Sequence, residues 1–471
     1  MIKNHIINIL IEQLGHTPTA SQKIMIDMIP GFITGIREKE ILLVKGYAGT
    51  GKTTILGALV KTLRIIKTSV VLLAPTGRAA KVLSSYCSHS AYTIHKKIYR
   101  QRSLTDGTGK FVVDRNLHKN TLFIVDEASM IANQSFDYDV FGSGRLLDDL
   151  IGYVESGLNC KLILVGDTAQ LPPVGLDISP ALDINFVKGF GFDVKEIFLN
   201  EILRQAEDSG ILFNASGIRH NISDSVPGLP HFILDGFDDV ERVSGSELIE
   251  MISGSYDKDG LESTIIVTRS NKMANQFNKG IRGSILGREE ELASGDLLMV
   301  VKNNYFWLSE NESTDFIANG DIIEVVRIRR YDEMYGFRYA DAVVRFIDYK
   351  NMEIEVKLLL DTINSETAAL SKTQNNNLFN SVMEDYSEIT NKRKKYEEVR
   401  SNPWFNALQV KFAYAVTCHK AQGGQWKNVF IDQGYVREDM ANTEYLRWLY
   451  TAFTRATDKL YLINFSDKFF E

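Results

Sequence analysis

Short apolar runs alternate with helix-like segments along much of the chain. In the first half the runs cover residues 41–44, 71–74, 121–125 and 161–165, and each leads into a polar or glycine-rich segment. Runs of this length without alternating polar positions are typical of parallel strands that are buried on both faces of a sheet. Because helical spacing follows the first run, at residues 55–63, the pattern predicts an α/β fold.

A different pattern occupies residues 296–406. Residues 319–326 and 342–346 alternate between apolar and polar positions, which predicts short strands and a small SH3-like barrel. Residues 365–400 are polar and helix-prone, and they contain the basic run 392–395. A charge run is more often a solvated face than a nucleic-acid contact, and both interpretations stay open here.

A turn signal lies between the second and third apolar runs. Asp106 and Gly107 stand between two strand-like flanks, at about 96–100 and 112–115. An Asp-Gly pair between such flanks predicts a β-hairpin. We therefore predict that residues 96–120 form a hairpin inserted into the first α/β domain.

Composition narrows the class of protein only slightly. A chain of 471 residues is long enough for about two to four domains. The net charge of −7 argues against coating nucleic acid by bulk charge, but it leaves room for basic groups along one channel. The three cysteines, Cys87, Cys160 and Cys418, lie far apart, which disfavours both a disulfide framework and a zinc site. We expect a cytoplasmic protein with no membrane partner, since no apolar stretch has the length of a span.

A glycine-rich loop follows the first predicted strand. It reads G-x-x-x-x-G-K-T between a strand and a helix, which is the order that phosphate binding requires. Backbone amides and the helix N-terminus would hold phosphate oxygens, Lys52 would reach the β- and γ-phosphates, and Thr53 would bind magnesium. A glycine turn with a stray lysine is the alternative, and the flanking elements disfavour it. The predicted nucleotide-binding residues here are Gly46, Ala48, Gly49, Thr50, Gly51, Lys52, Thr53 and Thr54.

Two carboxylates end the strand at 121–125. Asp126 could hold magnesium and Glu127 could accept the proton of an attacking water. An acidic helix cap is the alternative, but a phosphate loop upstream favours the catalytic interpretation. The strand at 161–165 likewise leads into a loop that contains Gln170, whose amide could touch both the γ-phosphate and the water.

These three segments resemble motifs of superfamily 1 helicases, and the RecD-like and Dda-like members of its 5′-to-3′ branch, superfamily 1B, match best. The resemblance implies two RecA-like parallel-sheet motor domains, with ATP and Mg²⁺ between them and single-stranded DNA across both. It assigns to Gln22 the recognition of adenine, which is compatible with a helix cap at Thr19 or Ser21.

Further motifs follow in the order typical of that family. The resemblance implies catalytic arginines at Arg204 and Arg455, and a nucleotide contact at Gly423. Gly424 and Gln425 follow, where many relatives carry a glutamate. The residues that the resemblance assigns to DNA are Pro75, Thr76, Gly77, Arg78, Thr93, His95, Thr268, Arg269, Asn271, Thr417, His419 and Lys420.

The predicted domains follow from these positions. The first motor domain would cover residues 1–188, and the second would cover 189–295 and 407–471 around the barrel and arm at 296–406. In Dda-like relatives the hairpin is a pin that splits the duplex, and the arm packs on it. Phe111 or Leu104 could then meet the fork, although an aromatic residue in a hairpin more often packs on its own protein.

The resemblance implies an ATP-dependent DNA helicase that moves 5′-to-3′ and acts on single strands and on single-strand/duplex junctions. A monomer would suffice, since both halves of the ATP site lie on this chain. One alternative is a DNA-stimulated translocase that remodels protein–DNA complexes with little unwinding. The other is a nucleotide-switched DNA-binding module, which Glu127, Gln170 and Arg455 disfavour because a passive switch needs no hydrolytic set.

Overall fold

The computed structural model describes residues 2–35, 39–101, 111–134, 141–202, 208–224, 228–308, 317–349, 351–437 and 440–470. These residues form two larger parallel sheets, a closed barrel and a two-stranded ladder. The architecture confirms the predicted pair of RecA-like domains with an inserted barrel.

The first sheet contains six parallel strands in the order β3-β2-β6-β7-β1-β8. Its strands are β1 (Glu40–Gly46), β2 (Ser69–Ala74), β3 (Ala91–Thr93), β6 (Thr121–Val125), β7 (Lys161–Gly166) and β8 (Asp193–Leu199). The helices around it are α1 (Ile2–Leu14), α2 (Ala20–Thr34), α3 (Lys52–Ile65), α4 (Gly77–Cys87), α5 (Ile94–Ile98), α6 (Leu146–Glu155) and α7 (Ile184–Lys188).

Alternate residues of each buried strand enter different cores. In β1, Leu42 and Val44 join a core with α1, α2 and α3, whereas Ile41 and Leu43 join a core with α5 and α6. Successive side chains of a strand point to opposite faces, so a strand covered by helices on both faces must be apolar at every position. This requirement explains the uninterrupted apolar run that predicted the strand.

The first sheet extends beyond residue 188, where we expected the first motor domain to end. Strand β8, at Asp193–Leu199, pairs with β1 along its whole length and completes this sheet. As an edge strand it alternates buried and exposed side chains instead of showing a continuous apolar run. The expected boundary is therefore too early by one strand.

The second sheet has five parallel strands in the order β16-β10-β17-β18-β9. Its strands are β9 (Val240–Val243), β10 (Thr264–Thr268), β16 (Ala415–Thr417), β17 (Trp426–Asp432) and β18 (Ala456–Ile463). Its helices are α8 (Gly210–Ser223), α9 (Leu248–Asp259), α10 (Asn271–Gly280), α13 (Cys418–Ala421) and α14 (Thr443–Phe453).

A closed five-stranded barrel interrupts the second sheet and confirms the predicted insertion. Its strands are β11 (Leu297–Val300), β12 (Ile322–Met334), β13 (Phe337–Phe346), β14 (Met352–Leu359) and β15 (Leu408–Phe412). Because β15 closes the barrel, the inserted domain extends past the expected end at 406. The arm helices α11 (Lys372–Asp385) and α12 (Lys392–Arg400) pack on the barrel through Leu378, Val382 and Val399.

The predicted hairpin is present at its base. Strands β4 (Tyr99–Gln101) and β5 (Phe111–Val113) form an antiparallel ladder, whereas its turn and Leu104 lie outside the described residues. Phe111 is 7% exposed, and its ring centroid lies 4.9 Å from that of Phe141 and 4.3 Å from that of Tyr305. A ring enclosed by two rings of its own protein is not placed to stack on a fork. This packing gives no support to Phe111 as a pin residue, and that role stays a prediction.

The barrel also covers the N-terminus of α4 in the first domain. Asp348 pairs with Lys81 at 3.0 Å. A Cβ atom added to Gly77 would lie 2.5 Å from Asp321 Oδ1 and 2.6 Å from the Tyr349 hydroxyl. Gly77 is therefore the side-chain-free position that allows the barrel to approach this loop.

Replacing Asp321 with Asn should stabilise the protein more at pH 8 than at pH 5. Burial raises the pKa of Asp321 to about 7, although the Ala318 N–H donates to its carboxyl at 2.7 Å. The folded protein therefore holds this proton more tightly than the unfolded chain does, and the resulting stability is lost as pH rises through about 7. We expect the gain from Asp321→Asn to be roughly 1–3 kcal/mol larger at pH 8, measured by denaturant or thermal unfolding.

Asp467, whose side chain is 96% exposed, provides the matched control. Asp467→Asn should show no such pH dependence. An Asp321→Asn gain of equal size at the two pH values would contradict the role of the Asp321 proton.

Among the described residues, no helix has the length and apolar character needed to cross a bilayer.

Candidate nucleotide site and DNA-facing edge

The phosphate loop joins β1 to α3 and adopts the conformation that its glycines permit. Gly49 and Gly51 have φ angles of +76° and +77°, a region that residues with a side chain rarely adopt. Gly51 caps α3 without a side chain that would occupy the first-turn amides. The Lys52 ammonium group donates to the carbonyls of Gly46 and Tyr47, both at 2.7 Å. The loop can thus present backbone amides and one ammonium group to phosphate oxygens.

Gln22 is bound to this loop. Thr19 caps α2 in a capping box in which the Thr19 N–H donates to Gln22 Oε1 at 3.1 Å. Gln22 Nε2 donates to the Thr50 carbonyl at 3.1 Å, and the residue is fully buried. The predicted cap at Thr19 is present, and the contact with adenine stays a prediction. The neighbouring Ser21 donates from its backbone N–H and hydroxyl to Glu201, at 2.8 and 2.6 Å, which lowers the pKa of that carboxyl.

Asp126 and Glu127 follow β6 at the same edge of the sheet. Glu127 has a φ of +53°, an unfavourable conformation for a glutamate that is common at functional sites. Burial, together with the adjacent Glu127 charge, raises the pKa of Asp126 to about 7. A divalent cation would favour the ionised form of Asp126, and a carboxylate and the Thr53 hydroxyl are the oxygen ligands that magnesium prefers. The donor set therefore fits Mg²⁺ bound to nucleotide phosphates.

Gln170 lies in the loop after β7 and is 6% exposed. Its Oε1 atom is buried and has no hydrogen-bond partner among the described residues. Buried acceptors are normally satisfied, so an orphaned one indicates a missing ligand or water. This position fits the predicted contact with the attacking water.

The second domain delivers Arg455 to this cleft. Arg455 is 3% exposed, and its Nη1 atom lies 4.0 Å from Glu127 Oε1. Its guanidinium group also donates to the carbonyls of Thr451, at 3.0 Å, and Gly424, at 3.2 Å. An arginine from the second sheet thus stands beside the proposed base of the first.

The threonines predicted to contact DNA share one local geometry. Thr76 follows β2 and Thr93 ends its neighbour β3 in the first sheet, and Thr268 and Thr417 end the neighbouring strands β10 and β16 in the second. Thr76 and Thr93 cap α4 and α5 through their side chains. The carboxyl ends of parallel strands meet at one edge, where α/β proteins bind ligands. The sheets therefore present the predicted DNA loops on their carboxyl edges.

Several predicted DNA residues also contact neighbouring domains. The Arg78 guanidinium lies 4.1 Å from the centre of the Trp426 ring. Lys420 Nζ donates to Asn319 Oδ1 of the inserted segment at 2.5 Å. DNA contacts by Arg78 and Lys420 would compete with these interactions, and their DNA roles stay predictions.

His95 is also predicted to contact DNA. Burial lowers the pKa of His95 to about 4, so this imidazole is neutral at physiological pH. Its DNA role stays a prediction as well.

Two predictions gain no support from the geometry. Arg204 lies outside the described residues. A Cβ atom on Gly423 would meet Ala79 at 2.9 Å and Thr76 at 3.1 Å, so this glycine faces the predicted DNA loop of the first domain. These neighbours do not support a nucleotide contact by Gly423.

Sequence reasoning assigned no role to Tyr450 or to Asp167. The Tyr450 hydroxyl donates to Asp167 Oδ2 at 2.7 Å and accepts from the Ala48 N–H of the phosphate loop at 2.8 Å. Because Tyr450 stands in a mostly apolar helix, its sequence context predicts a core residue. The one indication of a place near the cleft is that Arg455 lies five residues further along the same motif.

The matches to known proteins agree with a chain built from two motor domains. An AAA domain model matches residues 33–221, and a UvrD-like helicase C-terminal domain model matches residues 412–463. The ATP-dependent DNA helicase dda of Enterobacteria phage T4 is 23% identical, over 84% of this chain and 88% of its own length. The ATP-dependent RecD2 DNA helicase of Deinococcus radiodurans is 24% identical over 89% of this chain, which spans only 46% of that relative.

A viral relative and a solved structure cover nearly the whole chain. The uncharacterized protein R530 of Acanthamoeba polyphaga mimivirus is 23% identical, over 89% of this chain and 94% of its own length. A structure of two Pif1 helicases at forked DNA has the same fold, with a TM-score of 0.50 at 15% identity, over 97% of this chain and 94% of that one. The motifs and the two-sheet fold agree with these relatives, and the chain is similar in sequence to the DNA helicases dda and RecD2 and in fold to a Pif1 helicase.

Proposed function

We propose that this chain is an ATP-dependent DNA helicase that translocates 5′-to-3′ on single-stranded DNA and separates duplex strands. The observation that carries the proposal is the composite cleft, in which Arg455 of the second domain lies 4.0 Å from Glu127 of the first. A cleft completed by two domains makes hydrolysis depend on their relative position. The relatives named above as ATP-dependent DNA helicases support the choice of nucleotide and of DNA.

The reaction is the hydrolysis of ATP to ADP and phosphate. Lys52 and the loop amides hold the phosphates, while Thr53 and Asp126 would hold Mg²⁺, which supplies charge neutralisation when bound. Glu127 accepts the proton of the attacking water, Gln170 orients that water, and Arg455 stabilises the charge on the transferred phosphoryl group. Arg204 is proposed as a second arginine at this site on the family resemblance alone.

Translocation follows from the same arrangement. The predicted DNA loops lie at the carboxyl edges of the two sheets, so a change in the angle between the sheets would change the spacing of those loops along the strand. ATP favours the closed cleft because it contacts both domains, and product release removes that preference. Alternating grip by the two edges would move the strand in one direction, which the family resemblance gives as 5′-to-3′.

A strand-displacement assay on duplexes with one single-stranded tail tests this proposal. Duplexes with a single 5′ tail or a single 3′ tail are incubated with ATP and Mg²⁺, and with Lys52→Ala as the inactive control. We expect release of the labelled strand only from the 5′-tailed substrate and only by the wild type. DNA-stimulated hydrolysis without displacement would favour a translocase that remodels protein–DNA complexes, and DNA binding without turnover would favour a nucleotide-switched module.

A further inference from the structure

Tyr450 connects the second domain to the phosphate loop. It lies on α14 and is 1% exposed. Its hydroxyl accepts from the Ala48 N–H at 2.8 Å and donates to Asp167 Oδ2 at 2.7 Å. A phenol has one proton to donate, and this one goes to Asp167, while an oxygen lone pair accepts from Ala48, so the hydroxyl bonds to two loops of the first domain.

Asp167 extends this connection to the phosphate-binding lysine. Its carboxylate lies 3.7 Å from Lys52 Nζ and accepts from the Ala169 N–H at 2.9 Å. When Lys52 turns toward a nucleotide phosphate, this ion pair weakens. Asp167 is 1% exposed, and a buried carboxylate needs compensating donors, so it then depends more strongly on Tyr450 and the Ala169 amide.

The helix that carries Tyr450 also positions Arg455. Arg455 lies two residues beyond the end of α14, and its Nε atom donates to the Thr451 carbonyl of that helix at 3.0 Å. A second bond, from the Leu171 N–H to the Thr451 hydroxyl at 2.8 Å, holds the same turn against the loop of Gln170. The hydroxyl of Tyr450 therefore fixes α14 against the phosphate loop one turn before the arginine.

We propose that Tyr450 is a positioning residue that sets the approach of Arg455 to the terminal phosphate and thereby favours ATP over ADP. This inference rests on the proposed function, in which Arg455 meets the terminal phosphate. A triphosphate contacts both domains, whereas a diphosphate is held mainly by the phosphate loop. Loss of the Tyr450 hydroxyl should thus weaken triphosphate binding selectively.

Equilibrium titration of the full chain tests this role without hydrolysis. The probes are a fluorescent ADP and a fluorescent non-hydrolysable β,γ-imido analogue of ATP, each with Mg²⁺ and single-stranded DNA. We expect Tyr450→Phe to lower the ratio of analogue affinity to ADP affinity about 10-fold or more, the range for a lost hydrogen bond to a charged group. ADP affinity should stay within about 3-fold of wild type, because the phosphate loop itself is retained.

A double variant separates positioning from a general structural role. Arg455→Ala should lower the same ratio. Tyr450→Phe combined with Arg455→Ala should lower it no further than Arg455→Ala alone, because both changes remove the same contribution, the contact of Arg455 with the terminal phosphate. The control is Tyr461→Phe on β18, whose ring centroid lies 4.3 Å from that of Phe430 within the second sheet. This control should leave the ratio unchanged.

Three results would overturn the inference: an unchanged ratio in Tyr450→Phe, an equal loss of affinity for both nucleotides, or additive losses in the double variant. If Tyr450→Phe does not fold, Asp167→Asn weakens the same connection from its other end and should lower the ratio in the same way. A wild type that lacks DNA-stimulated hydrolysis would count against the proposed function, whereas the affinity ratio would still decide the role of Tyr450.

Discussion

Glu127→Gln is expected to lower the DNA-stimulated kcat for ATP about 10²–10⁴-fold, the usual contribution of a general base. Glutamine preserves the size and polarity of the side chain but cannot act as a base toward the attacking water. Because Lys52 and the loop amides are unchanged, affinity for Mg²⁺–ADP should be retained. Continuous phosphate-release assays at saturating ATP and single-stranded DNA measure the loss.

The matched control for this substitution is Glu155→Gln. Glu155 forms a surface ion pair with Lys39 at 2.7 Å, away from the strand ends that carry the site. This variant should hydrolyse ATP at the wild-type rate. A Glu127→Gln protein that keeps more than half of the wild-type kcat would remove Glu127 from the catalytic assignment.

Arg455→Ala should cause a loss of about 10³–10⁵-fold in kcat, the range for an arginine that stabilises phosphoryl transfer from a second domain. Arg455 is 3% exposed and its guanidinium lies beside Glu127, so solvent does not screen its charge strongly. Single-turnover hydrolysis with saturating DNA measures the chemical step separately from product release.

Arg455→Lys distinguishes the chemistry of the side chain from its packing. Lysine keeps one charge but lacks the planar fork that reaches several acceptors, so a large loss of kcat should remain. Arg242→Ala is the control, since Arg242 pairs with the exposed Asp467 on the second domain. Near-normal turnover in Arg455→Lys would show that a point charge suffices, and near-normal turnover in Arg455→Ala would contradict the assignment.

The parts of the fold that were predictable are those with local signals. A strand covered on both faces has a continuous apolar run, so the central strands of the first sheet stand out in the sequence. The edge strand β8 gives no such signal, and its place in the first sheet depends on pairing with β1, whose first residue, Glu40, pairs with Asp193. The domain boundary was misplaced for this reason.

The residues of the candidate site likewise divide into those that a local sequence pattern predicts and those that it does not. Lys52, Asp126 and Glu127 belong to short motifs whose chemistry can be read from neighbouring residues. Tyr450 contacts Ala48, which is 402 positions away in the chain, and no local pattern indicates that pairing. The burial of Phe111 likewise depends on rings at positions 141 and 305, which only the folded chain brings together.

The most direct test of a DNA-driven motor is steady-state ATP hydrolysis by the wild-type protein, titrated with single-stranded DNA. We expect slow hydrolysis without DNA and strong, saturable stimulation with it, because DNA bound across both carboxyl edges would favour the closed cleft in which Arg455 meets the nucleotide. Hydrolysis that is indifferent to DNA at every concentration, or absent throughout, would contradict a DNA-driven motor.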